Sequence, residues 1–285
     1  MCPLRFGLTA ATALFTLTAV PAFGADLTLS VFVAPNSGPA TQNCGVTGPL
    51  TSAAAPVSLD NTCFRNDVGT ASGSAIAAAG HVGSSAHADS HNGDSLSAGI
   101  GANAIYRDFV TFHSGTPGQQ FASVSANLLL DGVFEADGPV AGGFLELFVI
   151  ISNAQIRLRV LDGGVTENAF VFDSGQVGPQ TQLLMHTPFI TVPLDSPVVF
   201  ELNLQTSAFA SGPGSHGAAD FRQNSFKLAS EAFTLPAGVT VNAGSYLVDN
   251  HYADPLAPVP EPAGWALMLA GLGWVAARRR VTSGR

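Results

Sequence analysis

Ile156-Arg157-Leu158-Arg159-Val160 and Val198-Val199-Phe200-Glu201-Leu202-Asn203-Leu204 decide the fold class. In the first stretch, three aliphatic residues alternate with two arginines. In the second, Val198, Phe200, Leu202 and Leu204 share one parity, and Glu201 and Asn203 fall on the other. A period of two sends successive side chains to opposite faces of a β-strand, one buried and one wet. On a helix the same residues would scatter around the axis. Asp162-Gly163-Gly164 follows the first stretch and reads as a hairpin turn.

Working outward, similar runs recur between Gly, Pro, Asn and Asp punctuation. Leu27–Val33, Tyr106–Phe112, Phe121–Phe134, Phe144–Ile151 and Ile156–Leu161 read as strands, as do Ala169–Asp173, Phe189–Val192, Val198–Phe209, Phe221–Leu228 and Val239–Val248. Helical periodicity is nearly absent from 25–257. Many short strands without helices predict an all-β chain, a single β-sandwich of jelly-roll-like form. The Pro/Ala/Asn-rich stretch 34–67 is expected to be a long loop. The Ala/Gly/Ser-biased tract 68–104 is expected as flat strands or mobile chain. The body thus divides into a loop and small-residue part, 25–104, and a sandwich core, 105–257.

Hydrophobic residues make up 46% of the 285, so a core can be built, but charged residues only 11%. An ordinary globular chain carries about 25%. Gly, Ala, Ser and Thr take the space that charge usually occupies. Setting aside five arginines and one glutamate in the end segments leaves six basic and 19 acidic residues, a body near −13. Such a body repels nucleic acid and anionic lipid, which excludes nucleic-acid partners.

Residues 1–24 read as a secretory signal peptide. Arg5 is its positive start, Leu8 to Val20 its apolar run, and Pro21-Ala22-Phe23-Gly24-Ala25 supplies the small residues before cleavage. Cleavage is expected after Gly24, or else after Ala22. The apolar run is shorter than the roughly 20 residues of a membrane span. The Sec translocon and signal peptidase are the expected partners. Beyond the signal, Cys44 and Cys63 form an even pair in an oxidising compartment. A disulfide between them would contribute about 3 kcal/mol on the chain-entropy account. Two free thiols are the alternative.

The last 28 residues, 258–285, have three parts. Val259-Pro260-Glu261-Pro262 comes first, then the uncharged stretch Ala263–Ala277, then Arg278-Arg279-Arg280. The arginines hold the cytoplasmic side by the positive-inside rule, and Trp265 and Trp274 suit the two interfaces. Fifteen helical residues reach about 22 Å, against a hydrocarbon core of about 30 Å. Gly264, Gly271 and Gly273 weaken the helix further. A short apolar helix beside a rigid Pro-x-Pro turn suits a segment held briefly and then cut. This combination resembles the sorting domain of the PEP-CTERM family. The resemblance implies that Pro260, Glu261 and Pro262 are read by an exosortase, a membrane-embedded cysteine protease-transpeptidase. It also implies a transient inner-membrane anchor with the body in the periplasm, then display at the cell surface or in the extracellular matrix. Bacteria with this system make exopolysaccharide and live in biofilms or flocs, so exopolysaccharide is a further expected partner. The Ala/Ser/Gly-rich stretch, and the run from Ala219-Asp220-Phe221 through Leu235-Pro236-Ala237-Gly238-Val239, are similar to other bodies of that family. A plain tail anchor is the alternative.

Two stretches invite a chemical reading. Gly93-Asp94-Ser95-Leu96-Ser97-Ala98-Gly99-Ile100-Gly101 resembles the first block of GDSL esterases, with Ser95 as nucleophile. That family's block ends a buried strand, but His87-Ala88-Asp89-Ser90-His91-Asn92 is polar. The Gly-x-Asn-Asp block and the C-terminal Asp-x-x-His dyad are missing, and Asp249-Asn250-His251 has the wrong spacing. A serine without an oriented base or oxyanion donor is not a nucleophile. The second stretch is His81, His87, Asp89 and His91, which share one parity and would line one strand face. Along a single strand they cannot converge on a metal, so a polar strand edge is the plainer reading. The carboxylates Glu135, Glu146, Glu167, Glu201 and Glu231 are too scattered to name a glycosidase pair. The 19 Phe are expected in the core, and Tyr106, Tyr246 and Tyr252 are the only tyrosines for sugar stacking. No cofactor is expected. The sequence reading is therefore a non-enzymatic surface or matrix protein, with a carbohydrate-binding sandwich and a Ser95 esterase as alternatives.

Overall fold

The computed structural model describes residues 25–34, 40–47, 56–66, 69–91, 97–138, 140–161, 164–172 and 180–257. They form eighteen strands: β1 (Ala25–Ala34), β2 (Ala40–Thr47), β3 (Val57–Asn66), β4 (Gly69–Ala78), β5 (His81–Ser90), β6 (Ser97–Ser114), β7 (Phe121–Asp137), β8 (Val140–Ile151), β9 (Ala154–Leu161), β10 (Gly164–Asn168), β11 (Val171–Phe172), β12 (Gln180–His186), β13 (Ile190–Pro193), β14 (Pro197–Ser211), β15 (Ser215–Thr234), β16 (Val239–Asn242), β17 (Leu247–Val248) and β18 (His251–Tyr252). All pairings are antiparallel. Sheet one has the order β10-β9-β8-β14-β6-β1-β2, and sheet two the order β11-β12-β7-β15-β5-β4-β3. Packed face to face, they make the β-sandwich that the alternation predicts.

Three ribbons wrap around one end of the sandwich. β5 runs into β6, β7 into β8, and β14 into β15, each passing from one sheet to the other. The register lines up these passages: Ser211 pairs with Ser97 and Val140, and Ser215 with Ser90. The turns use Gly138, Gly212 and Gly214 at φ 98°, 92° and 68°, where a side chain would be strained. Such wrapping of paired strands gives the sandwich its jelly-roll character.

The core tapers toward this end. Far from it, Phe112 and Phe200 both pack edge-on to Phe233, with centroids 5.2 and 5.8 Å apart. Near the wrapped end, the interior is a separate cluster of Ala71, Ala86, Ala88, Ile100, Ala208 and Ala210. The sheets approach so closely there that a Cβ on Gly217 would press on backbone oxygens of Phe209 and Gly142, the latter at 2.8 Å. The described parts of the Ala/Gly/Ser tract are thus mostly strand, in β4, β5 and the start of β6. Small side chains are what allow two sheets to close below the usual spacing of about 10 Å.

Two expectations need correction. The stretch 34–67 is not one long loop, because β2 and β3 lie within it as the edge strands of the two sheets. Edge pairing needs only a ladder partner, and β1 and β4 supply it without strong alternation in the added strand. The division at 104/105 falls inside β6, which runs from Ser97 to Ser114 as a single strand of sheet one. The hairpin at Asp162-Gly163 is supported by the register, which pairs Leu161 with Gly164, although residues 162 and 163 lie outside the described ones. Among the described residues no helix is long and apolar enough to cross a membrane. The expected signal peptide, and the expected helix at 263–277, lie outside the described residues.

Candidate functional site

The outer face of sheet two carries an open cleft of about 520 Å³. Strand parity builds it. Leu59 on β3 and Ala71 and Ala75 on β4 turn to the interior, so Asp60, Thr62, Ser72 and Ser74 turn outward. On β5, Val82 and Ala86 point in, while Ser85 and His87 point out. The register places Asp60, Ser74 and Ser85 in one row and Thr62, Ser72 and His87 in the next. Arg222 of β15 closes the far wall.

Arg222 donates to both carboxylate oxygens of Asp60, at 2.8 and 2.9 Å. Two strands, β5 and β4, lie between their own strands. Three strand spacings come to about 14 Å, more than these two side chains reach across a flat sheet. The sheet edge therefore curls outward, and a bulge in β15 between Phe221 and Phe226 lifts Arg222 from the ladder. The planar guanidinium fork matches the carboxylate and fixes its orientation. On the floor, the Ser74 and Ser85 hydroxyls share a hydrogen bond of 2.6 Å. Neither is engaged by His87, so no serine there has a base oriented on it. The cleft offers hydroxyl, amide, imidazole and a neutralised ion pair, which is recognition chemistry.

The stripe continues at both ends of β5. Toward the wrapped end, Nδ1 of His216 lies 2.7 Å from Asp89, and its Nε2 lies 3.5 Å from Glu135. The hydrogen bond to Asp89 raises the His216 pKa above its ordinary 6.5, outweighing partial burial. At the other end, the C-terminal strap lies over buried His81. The His81 Nδ1–H donates to Asp254 at 3.0 Å, and Lys227 donates to the other carboxylate oxygen at 2.8 Å. Burial pushes the Asp254 pKa up, but the bonds from His81 and Lys227 outweigh it and hold the carboxyl well below the usual range. Tyr252 adds a bond from its hydroxyl to the Ala79 carbonyl at 3.1 Å. Burial raises the Tyr252 pKa, so that phenol stays protonated.

The expected site residues fare differently. β5 is a strand, so His81, His87 and Asp89 do share one face, and His91 lies just beyond it, exposed. Each has a separate setting, and among the described residues no group of three or more His, Cys, Asp or Glu could hold a metal ion. Ser95 lies outside the described residues. The next element in the chain is strand β6, where a GDSL nucleophile turn would need a helix. Cys44 falls on β2 and Cys63 on β3, with Cys63 at a bulge, but their side chains lie outside the described ones. Val259, Pro260, Glu261, Pro262 and Arg278–Arg280 also lie outside. Glu146 and Glu201 are each held by arginines on sheet one, Glu146 by Arg157 and Arg159, and Glu201 by Arg107. Most described phenylalanines are core, but Phe121, Phe189 and Phe209 are exposed. Tyr106 and Tyr246 are buried, both donate to Asp108 and pack edge-on, while Tyr252 is half-buried against the core.

Sequence reasoning missed the Asp60–Arg222 fork, the His216 pair and the Asp254 strap. All three join residues more than 100 positions apart, and only the strand order brings them together.

Fold and cleft together define a charge-poor antiparallel β-sandwich with a polar groove on one outer face. No family model matches the chain, and neither the curated proteins nor the solved structures offer a match.

Proposed function

We propose that the chain is an exported, non-enzymatic surface or extracellular-matrix protein, processed by an exosortase and working beside exopolysaccharide. The observation that carries this reading is the order of the tail: Val259-Pro260-Glu261-Pro262, an apolar stretch, then three arginines. Positive-inside retention of the arginines leaves the Pro-Glu-Pro segment on the side where the body resides. The geometry of the strap is compatible with it. The chain is tied down as far as Leu256 and Ala257, whose amides bond Asp254, and the motif begins two residues later. A low-charge sandwich with small side chains suits close packing among neutral polymers, and its net negative body disfavours anionic partners.

The test is transplantation. Residues 258–285 are fused to an unrelated exported reporter and expressed in an exosortase-positive host and its deletion strain. Release of the reporter from the membrane only in the positive host supports the reading. Equal membrane retention in both strains removes it.

A further inference from the structure

We infer that the outer cleft of sheet two is a binding site for an uncharged oligosaccharide segment. The size fits, since ligand sites fall at about 300–1,000 Å³ and this cleft has about 520 Å³. Its chemistry is selective. The floor presents hydroxyls from Ser72, Ser74 and Ser85, which both donate and accept, and the rim adds Thr62 and Asn61. Asp60 and Arg222 neutralise one another, yet each keeps spare bonding capacity: the carboxylate has further lone pairs and the guanidinium further N–H groups. Their fork holds both in fixed planes above the floor, ready to pair with adjacent sugar hydroxyls. His87 lies in the same cleft with no hydrogen-bond partner among the described residues. An apolar ligand would strand these groups unpaired. An anionic polymer would meet a body near −13 and no unpaired cation in the cleft. A neutral polyhydroxyl chain satisfies the donors and acceptors and carries no charge to repel.

For its biological ligand this inference rests on the matrix reading above, but its test does not involve the tail. Either idea can therefore fail alone. The full chain, purified in detergent, is titrated calorimetrically with neutral hexasaccharides of β-1,4-glucan, β-1,3-glucan, α-1,4-glucan and β-1,4-mannan, and with polygalacturonate hexasaccharide. At least one neutral chain is expected to bind saturably, and polygalacturonate is not. Asp60→Asn, which breaks the fork, and His87→Ala are each expected to weaken that binding about tenfold. Ser85→Ala guards against a folding artefact, because it removes a single oxygen, and it should also weaken binding. Arg157→Gln, on the opposite face of the sandwich, should leave it unchanged. Absence of binding by all four neutral chains, tighter binding of polygalacturonate, or equal binding by wild type and the cleft variants would overturn the inference.

Discussion

Arg222 and Asp60 meet in a two-pronged ion pair although β4 and β5 lie between their strands. The pair is half-exposed, so its direct contribution to stability is small, about 1 kcal/mol or less. Its effect is on shape, because it holds the β3 edge up and makes the cleft concave. Arg222→Ala should therefore leave the melting temperature nearly unchanged, while amide exchange in Val57–Thr62 accelerates. Arg222→Lys should not restore protection, since an ammonium cannot form the fork. Unchanged exchange in Arg222→Ala would mean that the curl belongs to the backbone alone.

Asp254 is the keystone of the C-terminal strap. Asp254→Ala leaves Lys227 and buried His81 without their acid, which should cost about 3 kcal/mol or more. The pH dependence has a definite sign. The folded-state pKa is depressed, so the contribution is present above the unfolded value of about 3.9 and is lost as pH falls through the folded value. Denaturant melts of wild type and variant should differ most near neutrality and converge only in strong acid. A difference that persists undiminished there would assign the loss to packing.

His216 has the opposite sign. Its pKa is raised by Asp89, so the stabilisation is complete below about 6.5 and fades as pH climbs through the folded value. An imidazole NMR titration should give a value above 6.5, and Asp89→Asn should bring it down. An unchanged midpoint in that variant would contradict the pairing.

The alanine end of the core should be intolerant of bulk. Ala86 is fully buried where the sheets are closest. Ala86→Leu should destabilise by about 1–3 kcal/mol, measured by chemical denaturation. A neutral effect would show that the sheets can separate there.

These elements differ in how far the sequence announces them. Strands with one wet face, such as Ile156–Val160 and Val198–Leu204, are legible because burial and chemistry alternate together. β4 and β5 are not, since Ala, Gly and Ser give little contrast between the two faces; their order comes from the ladder and the thin core. β2 and β3 are hidden for another reason, as edge strands need backbone partners more than side-chain pattern. The parity of His81, His87 and Asp89 is readable, and it does describe one face of β5. Their partners Asp254 and His216 are not, because no local rule links β5 to β15 or to the C-terminal strap. The arrangement of the cleft is likewise a product of strand order and curl, neither of which is encoded within any one segment.

The most direct test of the account is the intact mass of the mature protein from its native host, compared with an exosortase-deletion strain. The account predicts a wild-type chain that begins near Ala25 and ends near Val259–Pro262, with the tail uncut in the deletion strain. A chain ending at Arg285 in both strains would contradict it.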